Sequence, residues 1–298
     1  TYKKVNSGEM SNKGFEVTLS AAPIQTDKFA WYLDWNISRN RNKLIKLAPG
    51  LSRYKVTWEY YGNVELYAIE GRPFGEMYGG NYVYDDAGNR LVDENGFYLR
   101  SKDKEVLGNI NPEFTTGLTN TFTYGNLSLS FTFDYQHGGS YYAGAYALGM
   151  YAGTIRETVA NGMRERDANG PNGQKGVVLD GVVARVESDG TITSTGVKNT
   201  KAISPKEYGS TFYKGIDAQA IFDATFLKLR SVSLSYEVPL PETKHIKGLN
   251  FTLSGYNLWT GALAWDGMDP ESAIYNQGMG NSSLPTTRSF ALSVGLKL

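Results

Sequence analysis

Hydrophobic and polar residues alternate one by one along much of this chain. In Phe15–Ala21 the odd positions are Phe15, Val17, Leu19 and Ala21, and the even ones are Glu16, Thr18 and Ser20. In Phe29–Ser38 the odd set is Phe29, Trp31, Leu33, Trp35 and Ile37, against Ala30, Tyr32, Asp34, Asn36 and Ser38. Successive side chains of a strand point to opposite faces, so each segment predicts a strand with one greasy and one polar face. Phe114–Tyr124 and Leu127–Gln136 repeat the pattern, and Gly125-Asn126 between them is a two-residue hairpin signal. Val232, Leu234, Tyr236 and Val238 alternate with serines, Leu249, Phe251 and Leu253 follow, and Arg288–Leu298 closes the series.

Strand length and connector length decide what kind of β protein this is. The predicted strands run to about 10 residues, against a usual mode of about 5–6 in globular sheets. Their polar faces are rich in Ser, Thr, Asn and Asp, which suits a watery lumen. Short turns, Gly125-Asn126 and Pro239–Lys247, are set against the long connectors Asn40–Asp93, Gly139–Ile221 and Thr260–Thr286. Transmembrane β-barrels alternate short turns and long loops in this way. The reading is all-β: part of an antiparallel transmembrane β-barrel with about eight to ten strands and long extracellular loops. A soluble β-sandwich, whose strands also alternate, is the rival. Inside the longest connector, Ile155, Val159 and Met163 recur every fourth residue and predict a helix over Ala152–Arg166.

Composition narrows the function. Lys plus Arg equals Asp plus Glu, 30 each among 298 residues, so nothing supports a nucleic-acid partner. The chain has no cysteine, which excludes disulfides and thiolate metal sites. No apolar run reaches the roughly 18 residues of a transmembrane helix, but a barrel strand needs none. Thr1–Asn12 has no signal-peptide pattern, so an export signal is expected upstream.

The search for catalytic chemistry finds little. His137 and His245 are far apart, and surface or rim positions suit them better than metal binding or catalysis. Asp85-Asp86 with Gly88 and Asn89 lacks calcium-loop spacing and reads as a polar hairpin turn, as does Asp93-Glu94-Asn95-Gly96. Gly75–Gly80 is not followed by the Lys-Ser/Thr of a phosphate loop. Asp223 and Glu237 are carboxylates on strands, and spacing alone does not make them a catalytic pair. The expectation is no enzyme, no metal and no cofactor.

Several phrases resemble one family when taken in order. They are Asn6-Ser7-Gly8-Glu9-Met10-Ser11-Asn12-Lys13-Gly14-Phe15-Glu16; Glu70-Gly71-Arg72-Pro73-Phe74-Gly75 with Tyr78-Gly79; and Leu107-Gly108-Asn109-Ile110-Asn111-Pro112-Glu113-Phe114 with Gly117-Leu118. Phe226-Leu227-Lys228-Leu229-Arg230 through Leu234-Ser235-Tyr236-Glu237-Val238-Pro239, Gly255-Tyr256-Asn257-Leu258-Trp259, and Asp269-Pro270-Glu271 complete the set. Together they resemble the carboxy-terminal part of SusC/RagA-type TonB-dependent outer-membrane transporters of Bacteroidetes. The family's Asp/Asn/Gly-rich loop is reduced here to Asn95-Gly96-Phe97 and Ser101-Lys102-Asp103-Lys104.

The resemblance implies a 22-stranded barrel, of which residues 1–298 would be the carboxy-terminal portion. Plug and amino-terminal domains would lie outside this chain. It also implies import of glycans or peptides across the outer membrane. The implied partners are the rest of the barrel, a SusD-like surface lipoprotein, the TonB complex and outer-membrane lipid. Tyr141, Tyr142, Tyr146, Trp259 and Trp265 are the candidates for ligand or lid contact, since aromatic faces suit sugar rings and protein interfaces. Loop packing or a membrane-interface girdle is the more ordinary use of such residues.

Overall fold

A computed structural model of the chain describes residues 8–58, 62–164, 176–213, 215–241, 246–275, 277–280 and 284–298. His245 and part of the turn over Pro239–Lys247 lie outside the described residues. Seven strands form one large sheet. They are β1 (Glu9–Gln25), β2 (Phe29–Lys46), β3 (Phe114–Tyr124), β4 (Leu127–His137), β5 (Phe226–Glu237), β6 (Gly248–Gly261) and β7 (Ser289–Lys297). Each is antiparallel to the next, in chain order. Such a meander follows from the short turns, because antiparallel neighbours can be joined by two residues and parallel ones cannot.

The register carries the one-dimensional alternation across the sheet. Leu19 faces Trp35, Trp35 faces Leu118, and Leu118 faces Phe133. Farther along, Leu129 faces Leu234, Leu234 faces Leu253, and Leu253 faces Leu292. Directly opposed residues of an antiparallel pair share a face. One side of the sheet is therefore apolar from β1 to β7. That side is uncovered: Leu19, Leu129, Leu234, Leu253 and Leu292 are all exposed. Each large apolar side chain left in water forgoes roughly 1.5–3 kcal/mol. A soluble sandwich would bury this face under a second sheet. Among the described residues no second sheet does so; the smaller sheets hold two to four strands each and lie in the connectors.

The large sheet holds fewer strands than expected. Among the described residues seven stand in it, where the alternation suggested about eight to ten. Further strands, such as Glu65–Ile69, belong to a four-stranded sheet inside the first connector. Period two marks a half-buried strand and does not say which sheet receives it.

All three long connectors lie at one end of the sheet and pack together. One core cluster takes Val64, Leu66 and Met77 from the first connector. Tyr142, Ala147, Met150, Phe212 and Ala220 come from the second, and Met279 from the third. The predicted helix is displaced. The α-helix, α1, is Gly144–Ala152, on the small-residue stretch before the predicted one. Gly153 ends it at φ 69°, a left-handed conformation that suits glycine. Ile155 then adopts extended backbone, and only two 3₁₀ turns follow, Arg156–Thr158 and Ala160–Gly162. The fourfold spacing of Ile155, Val159 and Met163 is therefore not the face of one helix. Residues 165–175 lie outside the described set.

Candidate lumen wall and mouth

The polar side of the sheet is a continuous hydroxyl and amide surface. Hydroxyls pair across strands: Thr119 with Thr132 at 2.9 Å and Thr121 with Ser130 at 3.0 Å. Ser233 pairs with Ser254, and Ser235 with Thr252, each at 2.8 Å. Ser20 donates to Asp34 at 2.5 Å. Short side chains held to each other this way leave a smooth, wettable wall with few free charges.

At the connector end this wall carries an ionic network. Lys228 on β5 lies on the polar side, opposite Asp134 and Thr260. Its side chain is 1% exposed, and its ammonium donates to Asp269 at 2.7 Å and to Glu271 at 2.6 Å. Arg230 grips Glu271 with two nitrogens, at 2.8 and 2.6 Å, and donates to Asp134 at 2.5 Å. Asp269 also accepts from the Glu271 amide at 3.0 Å and from Thr286 at 2.8 Å. Asp-Pro-Glu is thus a helix start. Asp269 caps α2 (Pro270–Tyr275) and, with Glu271 in the first turn, presents two carboxylates to the wall. Burial pushes the Glu271 carboxyl up, but hydrogen bonds from Arg230 and Lys228 outweigh it and hold it below the ordinary carboxylate value. Because these partners sit on the polar side, the third connector folds over that side of the sheet.

The connectors are tied to one another as well. Asp217 of the second connector accepts from the amides of Asn63 and Gly80 in the first, at 3.0 and 2.7 Å. Arg156 pairs with Asp266 at 2.7 Å, joining the second connector to the third. The Asp85 carboxylate accepts from the amides of Ala87 and Asn89, and Asp93 does the same for Asn95 and Phe97. Both are the polar hairpin turns that the sequence predicts. His137 sits at the end of β4 beside Tyr135 and Phe114, at the rim.

The five aromatic candidates separate. Tyr141 and Tyr142 are fully buried, and Trp265 is nearly so at 9% exposure. Tyr146 is half-buried, with its ring edge-on to Phe212, Phe222 and Trp265 at 5.1–5.6 Å. Trp265 donates to Glu157 at 3.0 Å. These four hold the connector body together. Trp259 is 48% exposed. It pairs with Leu229 in the register, which puts it on the apolar, outward side near the connector end. Gly261 leaves it room, since a Cβ there would lie 2.3 Å from the indole. The residues that sequence reasoning missed are Lys228, Arg230 and Asp134. Their signal was two cations on the polar face of an otherwise hydroxyl-lined strand.

An open wall with an apolar outward side, a hydroxyl-lined inner side and a folded mouth defines part of an antiparallel transmembrane β-barrel. No family model matches the chain. TonB-dependent receptor P3 of Formosa agariphila is 24% identical over 326 residues, covering 98% of this chain and 29% of the relative. TonB-dependent receptor SusC of Bacteroides thetaiotaomicron is 29% identical over 182 residues, covering 53% of this chain and 18% of the relative. The structure of the RagAB peptide transporter superposes over 98% of this chain and 30% of that one, at 20% identity and a TM-score of 0.59. Its closed-closed state gives a TM-score of 0.60 at 19% identity. The resemblance to SusC/RagA-type TonB-dependent transporters is borne out, and with it the barrel fold. The chain spans less than a third of the length of the relatives that cover it almost entirely.

Proposed function

We propose that the protein containing this chain is a TonB-dependent importer of the outer membrane and that this chain supplies a carboxy-terminal stretch of its barrel wall and mouth. The observation that carries the reading is an inversion of burial. The large sheet leaves its apolar side open, while the packed cores sit in the connectors. Lipid is the solvent that makes such a surface favourable. The remaining strands, the plug and the segment through which TonB would deliver energy are assigned to the rest of the protein.

The connector end is then extracellular, and a SusD-like surface lipoprotein is its proposed cover. Glycans or peptides are the proposed cargo, since the hydroxyl and amide wall can exchange hydrogen bonds with either. The chain's role is conduction and gating, not bond chemistry. Trp259, outward and near the mouth, suits the membrane interface, where an indole can keep one edge wet. Tyr141, Tyr142, Tyr146 and Trp265 frame the mouth from within; any contact they make with cargo or cover would follow movement of the body around them.

An epitope placed in the exposed turn between Glu187 and Thr191 of the full-length protein tests the orientation. Antibody should label intact cells lacking the covering lipoprotein. Labelling that appears only after the outer membrane is permeabilised would reverse the assignment of sides and sink the reading of the mouth.

A further inference from the structure

The outward side of the sheet changes character at its connector end. Its apolar positions stop at Phe15 on β1 and Ile37 on β2. The next outward positions toward the mouth are Lys13 on β1 and Arg39, Arg41 and Lys43 on β2. The register pairs Phe15 with Arg39, Lys13 with Arg41, and Ser11 with Lys43. Four cations therefore share one side of two adjacent strands, and all four are exposed. Two carboxylates lie near them. Glu113 lies 3.8 Å from Arg41, with both side chains more than half exposed. Glu9, the next outward position of β1 beyond Ser11, pairs with Lys46 across a register shift, past the four cations. An exposed pair at that distance holds Arg41 only weakly. At the opposite, short-turn end the outward positions are Tyr124, Leu127, Tyr236, Leu249 and Leu296. Those strands carry no basic row there.

We propose that Lys13, Arg39, Arg41 and Lys43 bind the phosphate-bearing headgroup of an anionic glycolipid in the outer leaflet. This inference rests on the membrane placement proposed above. At about 3.4 Å per residue, Arg39 begins roughly 7 Å along the strand beyond Ile37, and Lys43 lies roughly 20 Å beyond it. Strand tilt of about 40° shortens those heights by about a quarter. The headgroup zone of a bilayer is roughly 5–8 Å deep on each side. Arg39, Lys13 and Arg41 thus stand at headgroup depth or just above it. Lys43 stands higher, where only a lipid with a large sugar headgroup still offers contacts. The guanidinium forks suit phosphate oxygens bidentately, and the lysines add point charge. A lipoprotein over the mouth would meet the connectors, whereas this row continues the lipid-facing side. Its presence at one end only fits a membrane whose leaflets differ.

The full-length protein in detergent, titrated with bisphosphorylated lipid A and with the same lipid after enzymatic dephosphorylation, provides the test. The wild type should prefer the phosphorylated form by about tenfold or more, and the preference should shrink as salt rises. The fourfold variant Lys13→Gln, Arg39→Gln, Arg41→Gln, Lys43→Gln should lose that preference. The inward-facing control Asn12→Gln with Asn40→Gln should keep it. Should the fourfold variant fail to assemble, Arg39→Gln with Arg41→Gln carries the same expectation. Equal binding of both lipids by the wild type, or an unchanged preference in the glutamine variants, would overturn the proposal. So would competition by millimolar inorganic phosphate alone, which would make the site one for free anion. A wild type that forms no heat-modifiable barrel and takes up neither lipid would instead refute the membrane placement itself.

Discussion

Glu271 ties the third connector to the wall through two cations. It meets Arg230 with both oxygens and shares Lys228 with Asp269. Removing one partner of a buried ion pair leaves the others desolvated and uncompensated, at a cost of roughly 3–5 kcal/mol. Glu271→Ala in the full-length protein should therefore loosen the third connector. Limited proteolysis should cut between 262 and 288 in the variant under conditions where the wild type resists. An unchanged digestion pattern would deny the network this role. The pH dependence has a defined sign. The Glu271 carboxyl is held below its ordinary value of 4.5 in the folded protein, so its contribution is complete above that value. It is lost as pH falls further, through the lower folded value. Protease sensitivity of the wild-type connector should stay flat from neutral pH to about 5 and rise only in more acidic solution.

At the scale of the element, β2 offers the sharpest test of sidedness. Its outward apolar residues run from Phe29 to Ile37, with Leu33 at the centre, and its polar residues Tyr32, Asp34 and Asn36 point the other way. Trp31 and Trp35 adjust to this surface, their indole nitrogens donating to Asn120 and Thr116 on β3, at 3.1 and 2.9 Å. Leu33→Arg should cost about 2–4 kcal/mol, as a cation near the bilayer midplane does. Spin labels at 33 and 34 should report lipid and water respectively. Equal water access at both positions would contradict the assignment. The short helix α1 makes a different point about elements. It forms on Gly144–Ala152 because Gly149 allows the Ile155 side chain to lie against the helix, where a Cβ would come within 2.3 Å. Local periodicity placed a helix about two turns too late, on residues that return across α1 and do not extend it.

For the molecule as a whole, the open sheet is the deciding feature. Among the described residues β1 pairs only with β2 and β7 only with β6. Each outer edge therefore presents unpaired amides and carbonyls, which lipid does not tolerate. Expressing Thr1–Leu298 alone with an export signal should give aggregation or degradation. Recovery of a heat-modifiable, protease-resistant barrel from this chain alone would show that β1 and β7 can close on each other and would remove the need for further strands. The connector body is expected to survive better than the sheet, because its cores are internal to it.

Much of the wall was legible from the residues alone, because period two is a property of extended backbone and needs no partner to be read. Phe29 to Ile37, the Gly125-Asn126 turn and the contrast of short and long connectors were all local signals. Asp85 and Asp93 were also legible, since each closes its turn with amides two to four residues away. The mouth was not. Lys228 meets Glu271 across 43 positions, and Asn63 meets Asp217 across 154. Nothing in the neighbourhood of any of these residues specifies such a partner. The sequence likewise marked Tyr141, Tyr142 and Trp265 as notable without saying that they would be buried. Local pattern determined the strands, their two faces and their turns. Only the tertiary structure decided that three connectors would share a core and lock onto the lumen wall, because those contacts depend on packing between segments far apart in the chain.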